Sequence, residues 1–445
     1  MLSYAELTPP ERLLWDAFAT GERVDLRTGD PASDDPAGGE RWGEDRSVRA
    51  EVVRALVLGG AEARPGETPV VHLVGARITG RLKLVFAEAC CVLRLERCWF
   101  ELRPQLYAAR LRATGFAGSH LPGLGANRIT VEGGNLDLMH TRITAPGATL
   151  YDARLDGALL LQDAQLSNPG GVALDGARME VGSGIVGDDG FRAEGEVRLP
   201  EAQLGEALIL TGARLVSPGR AALTCRNLRA RVLDLRAERV TGTVDLRHAR
   251  VDVLHLPDAD PPKAPTHVDG LVYGALEPHL PAARRLALPR HDPDGYRPQP
   301  YQQLAATYQS LGHDHEARAV RLAQQRHRRT TLRPAARAWG HLLDATVGYG
   351  YRPWLAGAWL ALLTLLGAAA FAAGEPTAAK PDEAAPFNPL VYTLDLLIPI
   401  AGLGLRNAWH FTTPPLQGLA YALVGAGWLL TTALVAGVTR VLNRG

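Results

Sequence analysis

The sequence predicts a multidomain chain: a cytoplasmic β-solenoid, pentapeptide-like or β-helical, with an N-terminal helical cap, a helical hairpin and a C-terminal two-helix transmembrane region. Three observations predict it. A short motif recurs at nearly constant spacing through residues 70–256, two long uncharged apolar stretches lie towards the C-terminus, and a proline-rich segment separates the repeats from a helical pattern. At 445 residues the chain exceeds one ordinary domain.

Residues 1–69 read as helices that cover the first coil, because a stack of repeats needs its ends closed. Thr8-Pro-Pro-Glu11 is a capping box that opens a helix over 9–20. Residues 47–58 form a second amphipathic helical pattern.

In residues 70–256 the motif is a small or acidic residue, then Ala, then Arg or Gln, then an aliphatic residue. It ends at Ile78, Leu155, Leu166, Met179, Leu204, Leu215 and Val251, with looser copies at Leu111, Ile129, Ile143, Leu228 and Val240. From Ile143 onward the steps are eleven to thirteen residues, with one double step from Met179 to Leu204. Alternation follows each motif, as in Val240-Thr-Gly-Thr-Val-Asp-Leu246. Short alternating strands at fixed spacing with small residues at the corners describe a β-solenoid in which two units make one coil of roughly two dozen residues.

Residues 257–300 read as a Pro-rich linker. Residues 301–352 read as a helical hairpin and a juxtamembrane segment. Tyr301, Leu304, Ala305 and Tyr308 form one apolar face and Gly312 makes the turn; His313-Asp-His-Glu316 at that turn is a helix start rather than a ligand set.

Residues 353–445 read as the membrane domain, with spans at about 354–373 and 418–438, each long enough for about 30 Å of hydrocarbon. Tyr349, Tyr351, Arg352 and Trp354 suit an interfacial anchor. Gly418, Ala422 and Ala426 recur every four residues and would let helices approach closely. Arginines flank both spans, whereas Lys380 and Arg406 are the only basic residues between them. Both flanks are therefore expected on the cytoplasmic side. Asn388-Pro389 reads as a helix start. The apolar stretch 389–404 that it opens is short for a span and contains Asp395, Pro399, Gly402 and Gly404. A re-entrant half-helix and an interfacial helix are both open, and an acid at membrane depth asks for a functional reason. Thr346-Val-Gly-Tyr-Gly350 spells a potassium-filter sequence but precedes the first span, where it cannot line a pore.

The formal net charge of +1 excludes nucleic-acid binding through bulk charge. Lysine occurs only at positions 83, 263 and 380, the arginine-rich coding bias of a high-GC bacterium. The four cysteines form no CxxC pair and no His lies at metal-ligand spacing from them, so no metal and no cofactor are expected. The N-terminus has neither a basic start nor an apolar core, and the soluble part is expected in the cytoplasm.

The Ala-Arg-Leu coils, Tyr301-Gln-Gln-Leu304, Gly348-Tyr-Gly-Tyr-Arg-Pro-Trp354 and Tyr392-Thr-Leu-Asp-Leu-Leu-Ile-Pro399 together resemble actinobacterial proteins labelled "membrane-associated oxidoreductase", and more broadly pentapeptide-repeat-like membrane proteins. The resemblance spans nearly the whole chain, though the strict five-residue repeat is not kept. It implies a bacterial inner-membrane location. The residues themselves supply no GxGxxG between strand and helix and no haem, flavin or Cys-pair signature. The expected function is therefore a membrane-anchored scaffold or sensor, with the lipid bilayer, a second copy of the chain and a cytoplasmic protein as partners. The alternatives are an oligomeric ion-conducting effector built around Asp395 and, more weakly, an enzyme.

Overall fold

A strand whose inward side chains are aliphatic and whose edge is unpaired is completed by the next strand of the same kind. The repeats do this in parallel through two sheets, of 14 and 12 strands, forming a β-solenoid of about nine coils. The computed structural model describes residues 3–258, 264–352, 354–380, 386–398 and 402–442. They fall into two units, Met1–Ala317 and Arg318–Gly445.

On one sheet Leu111, Val131, Leu155, Val181 and Leu204 lie in register, so successive coils advance by 20, 24, 26 and 23 residues. On the other sheet the row runs Leu121, Ile143, Leu166, Ala193, Leu215 and Val240. Nearly all of these side chains are buried in one continuous core. Phe100 and Phe116 fill the early bore edge to face, with centroids 5.8 Å apart.

The corners explain the motif. Asp152, Arg178, Glu201, Asn227 and His248 stack in one column, each with a left-handed φ of 54–60°. The residue after each corner enters the bore, and it is Ala at positions 153, 202 and 249. An aspartate at the strand end sets the turn: Asp137, Asp175 and Asp245 accept hydrogen bonds from the backbone N–H two residues on, at 2.9, 3.2 and 3.1 Å.

Two readings of the repeat are corrected by this register. Val181, not Met179, lies beside Leu155. Ala177-Arg178 is the corner itself, and its Ala-Arg imitates the motif two residues early. The double step is filled by Phe191-Arg192-Ala193, where the bulky residue follows the corner at Gly190 into the bore and the small one takes the row.

The ends also differ from expectation. Helix α1 (Pro9–Phe18) has its capping box, and α2 spans Ala50–Val57. Ser47–Arg49, however, is a strand paired with Arg77–Thr79, and Val24–Asp25 pairs with Leu73–Val74. The N-terminal segment therefore supplies strands to both sheets as well as covering them. At the other end, the stretch expected as linker holds Thr266–His267 and Val272–Glu277, which continue the sheets. It also holds two helical turns, α3 (Ala282–Arg285) and α4 (Ala287–Arg290). Helix α5 (Pro298–Ser310) then closes the last coil with side-chain amides. Gln299 accepts from Gly270 N and donates to Leu271 O, each at 2.9 Å, and Gln303 donates to Tyr273 O at 2.7 Å. These groups occupy a sheet edge that would otherwise be open to pairing. Gly312 makes the expected turn into α6 (Asp314–Thr330).

In the second unit, Asp344 of α7 (Pro334–Val347) receives Arg326 at 2.9 Å and Arg329 at 3.1 Å. Helix α7 ends at Gly348, which is left-handed. The filter-like sequence is thus a helix terminus. Helix α8 (Trp354–Ala372) is, among the described residues, the one helix long and apolar enough to cross a membrane. Helix α9 (Pro389–Leu397) packs between α8 and α11 (Pro414–Leu442), with a short α10 (Leu405–Ala408) between them in sequence. The second expected span, 418–438, lies within α11, part of whose side chains are outside the described residues.

Candidate functional site

Asp395 takes a different place from both sequence readings. Its side chain is fully buried, and its two oxygens accept hydrogen bonds from the backbone N–H groups of Leu403 and Arg406, each at 2.8 Å. The carboxylate ties the segment before α10 back onto α9; it neither lies in solvent nor faces a path. Asn388 opens α9 as expected, accepting from Leu390 N and Val391 N. Helix α9 is 9 residues long, ending at Leu397. Pro399 lies outside the described residues. Gly402 and Gly404 have open space around them, and Gly404 adopts φ 84° as the N-cap of α10.

Within a single chain the Gly418, Ala422 and Ala426 face of α11 is left largely uncovered. A Cβ at Gly418 would meet nothing within 4 Å, and Ala422 is exposed. Ala426 is half-buried. The close approach is made instead at Gly427, where a Cβ would run into the carbonyl oxygen of Leu397, and at Gly367 of α8, which faces Thr393. Of the anchor residues, Tyr349 and Tyr351 are half-buried, Arg352 is exposed and Trp354 is 67% exposed.

The first unit carries a polar cleft that the repeat pattern did not single out. The loop around Pro31–Ala37 lies over the outer face of the solenoid, and Arg142 reaches Asp35 at 3.2 Å across a separation of 107 residues. Around this bridge stand Arg97, Ser119, His120, His140 and Asp163. His140 and Asp163 occupy left-handed corners of successive coils, with Nδ1 3.2 Å from Oδ2. Burial lowers the pKa of His120, and the neighbouring Arg142 charge lowers it further, so this ring is neutral near pH 7. Its buried Nδ1 has no hydrogen-bond partner. Ser119 is not free to act as a nucleophile: its hydroxyl donates to Leu95 O at 2.8 Å and accepts from Cys98 N at 2.9 Å. The cleft thus sets arginine side chains on one side and carboxylates on the other.

A second titratable cluster joins His267, Asp292 and Asp294, whose ligand atoms lie within 4.8 Å of one another. Asp292 already accepts from Val268 N and Asp294 N, and Arg247 lies 3.3 Å from Asp294. Through these bonds the cluster latches the segment before α5 to the last coil. Among the cysteines, burial raises the Cys91 and Cys98 thiols to about 12, far above the range of a reactive thiolate. The only sequence signal for the cleft was the pair of histidines at a repeat spacing, His120 and His140, on a face read as solvated.

Comparison with family models, curated proteins and solved structures gives no match for this chain.

Proposed function

We propose that the chain is a membrane-anchored scaffold or sensor. The solenoid carries the recognition surface, and the C-terminal helices form the anchor. The observation that supports the anchor most directly is α8. It is apolar on every side, yet Trp354, Leu365 and Leu366 are 67%, 62% and 59% exposed. A helix hydrophobic all round belongs in a protein core or in lipid, and this one is largely uncovered. Tyr421, Trp428 and Leu429 on α11 are likewise exposed. Arginines before α8 and at Arg440 favour both flanks on the cytoplasmic side of a bacterial inner membrane, with the solenoid there too.

The polar cleft supports recognition rather than turnover, since its one hydroxyl is already committed to the backbone. A polar segment of a cytoplasmic protein is the partner this reading assigns to it. The exposed Gly418–Ala422 face leaves room for a second copy of the chain. The conducting alternative has less support, because Asp395 spends both oxygens on backbone amides. The enzyme alternative has none from the cleft.

Membrane fractionation and reporter fusions test the anchor. The full chain should remain in the membrane pellet after alkaline carbonate, and a reporter at residue 380 should signal from outside the cytoplasm. Release by carbonate, or a cytoplasmic signal at 380, would overturn the arrangement.

A further inference from the structure

Helix α7 packs along one side only. Val347 is buried with Ala356 and Leu430, and a Cβ at Gly340 would meet the side chains of Tyr349 and Arg329. On the other side Ala335, Ala338, Trp339, Leu342 and Ala345 recur at steps of three and four residues, which makes them one stripe without a charge. All five are exposed, Trp339 by 53% and Leu342 by 47%. Trp359 of α8 donates to Ala345 O at 2.9 Å, which holds the last turn of α7 beside the start of the apolar helix.

The charge around this stripe has one sign. From Arg318 to Arg352 the sequence holds eight arginines and a single carboxylate, Asp344. That carboxylate is already shared by Arg326 and Arg329. Arg328 and Arg333 are exposed and make no ion pair among the described residues. An uncharged stripe bordered by arginines and held against an uncovered apolar helix is complementary to a bilayer interface, with acyl chains on one side and anionic phosphates on the other. A second copy of the chain seated on the same stripe would bring like charges together.

We propose that α7 lies in the bilayer interface and docks on anionic phospholipid, an inference that rests on the reading of α8 as a membrane span. Trp339 and Leu342 enter the acyl boundary, and Arg328 and Arg333 pair with headgroup phosphates. The lipid surface thereby covers the stripe that the chain leaves open and supplies the anions that the chain does not.

Hydrogen exchange of the full chain in nanodiscs tests this, with discs of phosphatidylcholine alone compared with discs that also contain phosphatidylglycerol. Amides of α7 should exchange about ten- to thirty-fold more slowly in the anionic discs, the factor that two arginine contacts with anionic lipid supply. Arg328→Gln combined with Arg333→Gln should restore the phosphatidylcholine rate. Trp339→Ser combined with Leu342→Ser should remove the protection in the anionic discs. All four side chains are exposed, so the variants leave the packing intact. Equal exchange of α7 in the two discs while α8 stays protected would overturn the proposal and leave the anchor standing. An unprotected α8 would overturn the anchor, and the proposal with it. Protection that survives Trp339→Ser with Leu342→Ser would overturn the interfacial placement. Equal slowing by inorganic phosphate in phosphatidylcholine discs would give the arginines to a free anion and overturn the assignment to lipid.

Discussion

Arg46 and Asp34 form an ion pair of 2.8 Å in which both side chains are buried. Arg46 also donates to Gly75 O at 2.8 Å and lies 3.6 Å over the Trp42 ring. Asp34 accepts from the N–H groups of Thr28 and Gly29 at 3.0 and 2.9 Å. The pair thus fixes the N-terminal loop, and with it one wall of the polar cleft, against the first coil.

Asp34→Ala removes one charge and leaves the other buried, a change that destabilises by about 3–5 kcal/mol. Urea unfolding of the full chain should show a lower midpoint. A loss under about 1 kcal/mol would show that the loop contributes little to closing the solenoid.

Acid should unfold the same unit. Hydrogen bonds from Arg27 hold the Asp25 carboxyl down at about 2, and burial that would raise it is outweighed. At Asp34 and Asp245 burial pushes upward, but backbone N–H groups and the arginines beside them win, and both pKa values are lowered. A lowered folded pKa contributes stability above the unfolded value, near 3.9, and loses it as pH falls through the folded value. Melting temperature should therefore be level above about pH 5 and fall steeply from about pH 4 towards 2. A flat profile across that interval would contradict these pairings.

Leu159 stacks between Leu136 and Ile185 and is fully buried. Leu159→Asp should cost several kcal/mol, of the order of an unpaired buried charge, and leave the first unit unfolded by circular dichroism. Arg154, two-thirds exposed with a 3.4 Å contact to Glu180, should tolerate Ala within about 0.5 kcal/mol.

Asp395→Asn replaces one acceptor with a donor opposite a backbone N–H. The loss should be about 1–3 kcal/mol, seen as a lower melting temperature in nanodiscs and faster proteolysis near residues 398–404. Unchanged melting would mean that the carboxylate is not the tie between α9 and α10.

Gly427→Ala should separate α11 from α9, because the added methyl meets the Leu397 carbonyl, at a cost of about 1–3 kcal/mol. Gly418→Ala meets open space and should be neutral or gain up to about 1 kcal/mol of helix propensity. The opposite ranking by thermal melting would reassign the packing face.

How far the sequence carries depends on whether a feature is local. The Ala-Arg-Leu motif was legible because corner, small residue and row position fall within four consecutive residues. It misled at Met179, where an aspartate-set corner reproduces Ala-Arg two positions early. Ser47–Arg49 was hidden because a single apolar residue, Val48, ahead of a helix satisfies either period, and only Arg77–Thr79, far along the chain, makes it a strand. The helical hairpin and the start of α9 were legible from Gly312 and Asn388-Pro389, local signals both. The Arg142–Asp35 bridge depends on residues brought together by whole coils, and no short window contains it. The partners of Asp395 are near in sequence, but they are backbone N–H groups of Leu403 and Arg406, which no residue type announces.

The parallel ladders also bear on how the chain is made. Every coil contacts the one about two dozen residues before it, starting from strands at Val24–Asp25 and Ser47–Arg49. Each new coil can therefore dock as soon as it leaves the ribosome, on a template already in place. Helix α5 precedes α8 in the chain, so the first unit can cover its last sheet edge before the most apolar segment of the chain is exposed to the cell.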